Sequence, residues 1–354
     1  MENVIPTWLL PVEEKFFEVA CNPNRNEAIE WLQRLDIRDE LFPQVAIENL
    51  NKVNGLSEAL QLYRQGGMND IIIKTSIGKM WAKKLHGQYG YDYDASLYSN
   101  YIFWKTMFSD IAVCPIEHAG GYQYTIRSNG VSFRGDTMNS WATTLHEFFR
   151  LYGGGEAGYL NGLVKNDSPG INNGKWRIPR NGPDWDKFLS MPENYKRALP
   201  SYITEFMKVI YTPGNFIPIP HGCNVYTLKD YFDLKLYCIY NWYQDHLDSH
   251  IMSVINDSTC QHSIQCRLQT YKGWLESFTD WDTFVRRYAL QPFVSIEGSR
   301  FGRPRELWDG HFESWRELPR TEGEFEQFFV NAKVRILARG TLVAKKLMEE
   351  LTLV

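Results

Sequence analysis

The sequence of 354 residues lacks the short motifs that mark several common enzyme classes. It contains no GxxxxGKS/T, HExxH, GxSxG or CxxC pattern, so P-loop nucleotide hydrolases, zinc proteases, α/β-hydrolases and thioredoxin-like proteins have no motif support. Positive charge is not in excess either, because 38 Lys and Arg stand against 42 Asp and Glu, a formal net charge of -4. Broad binding to nucleic-acid phosphates is therefore not expected, although a local basic groove is compatible with this total.

Long apolar runs and cysteines are also scarce. No run approaches the roughly 18 apolar residues that a membrane-spanning helix needs, and the short apolar stretch at the N-terminus has no basic leader ahead of it. The chain has six cysteines, a number more typical of reduced thiols in a cytosol than of a disulfide framework. These absences predict a cytoplasmic protein without a membrane partner.

Aromatic residues, by contrast, are abundant. They make up 15% of the chain, with 12 Trp, 20 Tyr and 20 Phe. They are spread along the whole sequence, which favours a core rich in large rings, because each ring buries much apolar area. The alternative is a stacking platform for bases or sugars, in which several rings would share one surface.

Local patterns predict an α+β protein that is predominantly helical with a small antiparallel sheet. Residues 1–70 are predicted to form a helical N-terminal segment and residues 71–354 an α+β main domain. In the first segment Pro11 suits a first helical turn, and Asn26 is the predicted cap of the next helix. Residues 267–290 are predicted to form one or two helices, with Asp280 as the cap of the second. The chain ends in a predicted helix over residues 322–350 that is broken or weakened near Gly340.

The sheet is predicted from a hairpin pattern. Residues 122–128 and 131–134 alternate on either side of Asn129-Gly130, and Asn-Gly between alternating runs favours a tight two-residue turn. The rest of the sheet is placed over residues 203–220. The three prolines of TPGNFIPIP restrict part of that stretch to an edge strand or an extended loop.

The hairpin leads into the first candidate site, RGDTMNS. A turn after a strand would place Asp136, Asn139 and Ser140 at a helix N-terminus, where free N–H groups and the helix dipole favour anions. Arg134 adds a guanidinium suited to phosphate or carboxylate. In this interpretation Asp136 is a catalytic base or a metal ligand. The alternative is an elaborate helix cap, in which Arg134 pairs with Asp136.

A second candidate site follows the proline-rich stretch. Asn215 and Asn224 flank a glycine turn, and the next helix opens with Asp230 and Asp233. Carboxylates three residues apart are neighbours on a helix face, so this pair could bind a divalent cation or act as an acid–base pair. The alternative is structural: Asp230 compensates the helix dipole and Asp233 makes a buried hydrogen bond.

Two weaker patterns complete the candidates. The histidines and cysteines over residues 246–266 are zinc-compatible in type, but their order and spacing match no common zinc motif. Arg305 and His311 have a spacing found in some helical RNases, although Asp-Gly and Gly-Arg-Pro nearby favour a loop and a solvated surface.

Three longer stretches together resemble an uncharacterised bacterial family of unknown function. They are GDTMNS, TPGNFIPIP with the downstream Asn224, and DYFDLKLYCIYNWY. Further agreement comes from Leu307-Trp308-Asp309-Gly310-His311-Phe312 and Arg339-Gly340. The resemblance covers roughly residues 120–345 and implies a bacterial cytoplasmic protein. It brings no established activity and no catalytic residues.

The combined hypothesis is an enzyme that acts on a phosphate-containing substrate, either a nucleotide or a nucleic acid. Arg134 and the helix N-terminus would hold the anionic group, while Asp136, Asp230 or Asp233 transfers a proton or holds a divalent cation. The alternative is a non-catalytic binding or regulatory module whose aromatic residues form a partner surface.

Overall fold

The computed structural model describes residues 5–35, 97–111, 113–118, 124–128, 131–134, 200–210, 212–220, 232–244, 272–314, 316 and 319–352. Within this part the helices are α1 (Leu10–Ala20), α2 (Arg25–Arg34), α3 (Leu97–Met107), α4 (Ser201–Met207), α5 (Phe232–Tyr243), α6 (Trp281–Arg287), α7 (His311–Ser314) and α8 (Glu322–Thr352). The strands are β1 (Ile116–His118), β2 (Tyr124–Ser128), β3 (Val131–Arg134), β4 (Ile219–Pro220), β5 (Val294–Glu297) and β6 (Arg300–Pro304). The fold class is therefore α+β, predominantly helical with a small antiparallel sheet, as the sequence predicts. None of the helices in the described part is long and apolar enough to span a membrane.

The predicted hairpin is present as β2 and β3, the middle strands of a four-stranded antiparallel sheet in the order β1-β2-β3-β4. Its register aligns Ile116, Ile126, Phe133 and Pro220 across the four strands. All four side chains are buried. This row is the face of the sheet that joins the core, because residues opposite one another on paired strands lie on the same face.

The rest of the predicted sheet, over residues 203–220, is mostly not a strand. Only β4 at Ile219–Pro220 pairs with β3, and the earlier part forms helix α4. Pro200 stands at the N-cap of α4, and Ile203 and Phe206 are both fully buried. Apolar residues three apart share one face of a helix, so burial of that face favours the helix over an extended strand.

Helix α8 is the central element of the core. It runs without a break from Glu322 to Thr352, so the prediction of a break near Gly340 is wrong, and a weakening of the helix there stays a prediction. Gly340 is buried against the turn at Pro213–Asn215, where a Cβ atom on Gly214 would lie 2.0 Å from the carbonyl oxygen of Ile336. The two glycines allow this close approach of the turn to the helix.

Arg339 secures the same contact from inside the core. Its side chain is fully buried, and its Nε donates to the carbonyl of Tyr288 at 3.0 Å. Its Nη1 donates to the carbonyls of Pro213, Gly214 and Phe216 at 3.3, 2.9 and 2.7 Å. Burial lowers the pKa of Arg339 to about 9.

The first helices pack on this core. The N-terminal cap of α2 is Asn24, whose side chain accepts from the N–H of Glu27; the predicted cap, Asn26, lies inside the helix. Near the other end of α2, the Gln33 amide donates to the carbonyl of Leu337 in α8 at 2.8 Å and to the hydroxyl of Thr341 at 2.9 Å. Two side-chain hydrogen bonds therefore tie the two helices together.

A buried polar contact joins α1 to α3. Helix α1 has Pro11 in its first turn, as predicted, and Glu13 accepts hydrogen bonds from Lys105 and from the Tyr101 hydroxyl, each at 2.8 Å. Burial and the Glu13 carboxylate raise the pKa of Tyr101, so that hydroxyl stays protonated. Every residue of α3 is buried, which explains why the helix shows little amphipathic pattern.

The C-terminal part contains a second hairpin that the sequence analysis does not predict. Strands β5 and β6 pair across Gly298-Ser299, and Gly298 has a φ of 64°. A glycine with positive φ is what such a short turn requires, so this dipeptide was an available signal. The predicted cap of α6 is confirmed, because Asp280 accepts from the N–H of Thr283 at 2.7 Å.

We expect Gly214→Ala to destabilise the fold by at least about 2 kcal/mol, since the new methyl group meets helix backbone that cannot move aside. Gly323→Ala is the matched control, because a Cβ there meets nothing within 4 Å. It should leave stability unchanged or raise it by up to about 1 kcal/mol through helix propensity. Urea unfolding of both variants checks this, and equal stabilities would contradict the close-approach argument.

The N-terminus of α8 predicts a pH dependence. Glu324 and Thr321 form a reciprocal cap, with N–H to side-chain distances of 3.2 and 3.3 Å, and Arg316 pairs with both Glu324 oxygens. Hydrogen bonds from Arg316 hold the pKa of Glu324 at about 2, below its ordinary 4.5. Its stabilisation is therefore complete above pH 4.5 and disappears as the pH falls toward 2.

Glu324→Gln should accordingly be less stable than the wild type at pH 7, and the difference should shrink as the pH is lowered from about 5 to 2. Denaturant unfolding at several pH values measures this. Glu326→Gln, at an exposed position two residues further along the helix, is the control and should show a small difference throughout. A Glu324→Gln effect that is independent of pH would mean that the carboxylate charge does not stabilise the cap.

Candidate functional site

The structure describes three of the eight predicted site residues. Asp233 and Asn215 are described in full, and Arg134 is described as the last residue of β3 without its side chain. The other five lie outside the described residues: Asp136, Asn139, Ser140, Asn224 and Asp230. The zinc-compatible pattern over residues 246–266 lies outside them as well.

The strand register relates the two predicted polar stretches. Arg134 pairs with Ile219, and Phe133 pairs with Pro220. Because the strands are antiparallel, the end of β3 lies beside the start of β4. Arg134 therefore lies in register beside Ile219, three residues after the TPGNF turn.

Asn215 lies inside this turn. Its side chain is fully buried, and its Nδ2 donates to the carbonyl of Ile210 at 2.6 Å. This bond supports the backbone that packs against α8, which gives Asn215 a structural task. Substrate binding by Asn215 stays a prediction.

Asp233 lies against His311, which comes from a distant part of the sequence. Asp233 is in the first turn of α5, and His311 is the first residue of α7. The Asp233 Oδ2 and His311 Nδ1 atoms are 3.0 Å apart, and the two side chains are only 6% and 0% exposed. The Oδ2 and Nδ1 atoms are close enough for an ion pair, but their geometry is not that of a hydrogen bond.

The imidazole of His311 is fixed on its other sides. The Trp308 ring stacks on it with the ring centroids 3.4 Å apart. No described residue makes a hydrogen bond to its Nε2, and that atom is shielded from solvent. Asp233 thus faces one ring nitrogen, and the second nitrogen has no partner in the described part of the chain.

The loop before His311 is held from two sides. Glu306 accepts hydrogen bonds from the N–H groups of Gly310 and Phe312, which cap the short helix α7. Arg335 in α8 donates to the carbonyls of Arg305 and Glu306 at 2.6 and 2.7 Å. These contacts fix the position at which α7 begins, and with it the position of His311.

Three arginines accompany the pair. The Arg303 guanidinium lies 5.1 and 5.4 Å from the ring centroids of Tyr237 and Phe312, which stack on each other. Burial and, to a smaller extent, the Arg305 cation lower the pKa of Arg335 to about 10, against an opposing effect of the Asp233 carboxylate. We refer to Asp233, Arg303, Arg305, His311 and Arg335 as the Asp233–His311 cluster.

This cluster has the groups needed for proton transfer beside an anion. A carboxylate against one nitrogen of an imidazole orients the ring and stabilises its protonated form, so the other nitrogen can exchange a proton with a substrate. Guanidinium groups suit phosphate and carboxylate. Among the described residues no group of three or more His, Cys, Asp or Glu side chains could hold a metal ion.

The sequence analysis named Asp233 and His311 separately and did not connect them. It paired Asp233 with Asp230 and His311 with Arg305, because those neighbours are close in sequence. Helical and strand periodicity report only local geometry, and the Asp233–His311 contact depends on how α7 and α5 pack. The Trp308–His311 spacing, a ring and an imidazole three residues apart, was the available local signal.

We expect Asp233→Ala to destabilise the protein by roughly 1–3 kcal/mol, because it leaves the buried Nδ1 of His311 without its polar neighbour. The exposed pair of Glu117 and Arg127, 55% and 53% exposed, supplies the control. Glu117→Ala should cost less than about 1 kcal/mol. Urea unfolding measures both free energies, and a cost for Asp233→Ala no larger than the control would show that the buried contact does not stabilise the fold.

Comparisons with protein-family models, with curated proteins and with solved structures found no match to the chain.

Proposed function

We propose that the protein is an enzyme that acts on a phosphate-containing substrate, either a nucleotide or a nucleic acid. The observation that carries the proposal is the Asp233–His311 contact, with Oδ2 and Nδ1 3.0 Å apart and Nε2 without a partner in the described part of the chain. The neighbouring arginines supply the positive charge that a phosphate needs.

In this proposal His311 is the proton-transfer group. Its Nε2 accepts the proton of an attacking water or hydroxyl while the oxygen forms a bond to phosphorus. The proton then goes to the leaving oxygen as its bond to phosphorus breaks, and the Asp233 carboxylate stabilises the imidazolium in between. Because Nε2 is shielded from solvent, substrate binding must move the side chains that cover it.

In this proposal Arg303 is the cation that holds the phosphate. Its side chain is 43% exposed, and its Nη2 is 3.7 Å from the nearest Glu306 oxygen, which is longer than a hydrogen bond. Arg335 is already occupied by two carbonyls. Arg303 can therefore turn toward a substrate anion at little cost to the fold.

The predicted anion site after β3 remains part of the proposal. Arg134, Asn139 and Ser140 would bind the phosphate at the strand–helix junction, with Asn215 and Asn224 as further substrate contacts. Asp136 and Asp230 would transfer protons or hold a divalent cation. What supports this is the residue chemistry together with the pairing of Arg134 beside Ile219.

The resemblance to an uncharacterised bacterial family belongs to the proposal too, as does a cytoplasmic location. Their support is the GDTMNS, TPGNFIPIP and DYFDLKLYCIYNWY stretches and the small number of cysteines in the chain.

A second candidate function is a non-catalytic binding or regulatory module with an aromatic partner surface. The complete burial of His311 and its stacking on Trp308 favour it, because a buried and stacked pair also serves to hold two elements together. The two functions differ in whether the protein turns over a phosphate ester.

The test is hydrolysis of bis(p-nitrophenyl) phosphate and p-nitrophenyl phosphate, each with and without Mg²⁺. We expect the wild type to release p-nitrophenol and His311→Gln to lose about 10²–10⁴-fold in kcat, the range for general acid–base catalysis. Glu313→Gln, an exposed neighbour on α7, should keep wild-type activity. Arg303→Gln should raise KM more than it lowers kcat.

Circular dichroism of each variant checks that it is folded. No turnover of either ester by the wild type would favour the binding module. Turnover that His311→Gln retains would remove His311 from the mechanism and leave the predicted Asp136 and Asp230 as the groups to test.

A further inference from the structure

A cavity of about 1050 Å³ lies between the small sheet and residues 273–288, a stretch that includes α6. The end of α3, strands β1 to β3 and residues 273–288 provide its walls. No member of the Asp233–His311 cluster is among the described residues that line it. Ligand pockets in proteins are typically about 300–1000 Å³, so the cavity is large enough for a nucleotide.

Aromatic rings form much of the cavity wall. Trp274, Phe278 and Tyr288 come from the helical side, and Phe108 and Phe133 from the opposite side. The Trp274 Nε1 donates to the Tyr288 hydroxyl at 3.0 Å, and the Phe108 and Phe133 centroids are 5.0 Å apart. Rings held in this way give the cavity a rigid apolar wall against which a base can pack.

Two ion pairs stand among the cavity-lining residues. Arg287 donates to both oxygens of Asp110 at 2.7 and 2.9 Å and also to the carbonyl of Met107 at 2.9 Å. Arg127 pairs with Glu117 on the sheet. The carboxylates are 62% and 55% exposed, so both can be reached from solvent.

The anchoring of Arg287 makes its carboxylate partner replaceable. The bond to Met107 holds the guanidinium at the cavity whether or not Asp110 is bound. A phosphate presents more charge than a carboxylate and matches the same two-pronged geometry. A ligand phosphate can therefore take the place of the exposed Asp110 side chain.

We infer that the cavity is a binding site for a nucleoside monophosphate, with the base against the aromatic wall and the phosphate on Arg287 in place of Asp110. This site goes beyond the proposed function, because it shares no residue with the Asp233–His311 cluster. Its occupation can be measured as binding, without any turnover, so its result does not depend on the phosphate-ester assay.

The experiment is isothermal titration calorimetry of the full chain with AMP, GMP, CMP and UMP, and with the four matching nucleosides. We expect at least one monophosphate to bind saturably and at least tenfold more tightly than its nucleoside. Arg287→Gln should weaken that monophosphate at least tenfold. Asp110→Asn should tighten it by up to about fivefold, because the guanidinium no longer has a competing carboxylate. Neither variant should change nucleoside affinity.

Val113→Trp tests the location separately. Val113 lines the cavity and is 62% exposed, so a larger side chain can fill the space without disturbing the core. It should abolish binding of monophosphate and nucleoside alike, whereas Glu313→Gln on α7 should change neither.

Absence of saturable binding by all four monophosphates would overturn the site. Equal affinity of nucleoside and monophosphate, or the same affinity in Arg287→Gln and Asp110→Asn, would overturn the exchange at Arg287.

Discussion

The buried guanidinium of Arg339 is the interaction on which the described structure depends. A cation in the core is costly unless hydrogen bonds replace its hydration, and Arg339 finds them on carbonyls of the Pro213–Asn215 turn, of Phe216 and of Tyr288. Its Nη2 has no acceptor among the described residues. The Nε and Nη1 atoms must therefore lie within hydrogen-bonding distance of their carbonyls. This requirement fixes the positions of the turn and of the end of α6 relative to α8. Since the turn leads directly into β4, the position of the sheet follows from the same contact.

The same helix also positions the candidate site. Arg335 lies one turn before Arg339 on α8, and residues four apart share a helix face. Fixing Arg339 in the core therefore fixes Arg335, which holds the carbonyls of Arg305 and Glu306. That loop positions His311 against Asp233. The alignment of the candidate proton-transfer pair is thus a consequence of how one long helix is seated, and a change near Gly214 should reach the site through α8.

Features that depend on neighbouring residues were predictable from the sequence. The β2–β3 hairpin and the Asp280 cap are local, because the residues that they pair are only three to seven positions apart. The cap of α2 was not predictable in this way, since both Asn24 and Asn26 can cap a helix and the surrounding packing decides between them. Helix α4 shows the same limit, because proline-rich sequence nearby suggested a strand while burial of Ile203 and Phe206 favours a helix. For the candidate site, sequence reasoning selected Asp233 and His311 as individual residues, but their contact is a tertiary fact that no periodicity reports.

Exposure separates the arginines that support the fold from those that are able to bind a ligand. Arg339 is fully buried and engaged by four carbonyls, so an anion could reach it only if α8 separated from the turn. Arg303 and Arg287 are 43% and 33% exposed. Their carboxylate partners are partly exposed too, and a bound phosphate would recover what is lost when such a partner moves away. Both proposals depend on this difference: one arginine fixes the core, and two others make contacts that a proposed substrate or nucleotide would replace while the core stays folded.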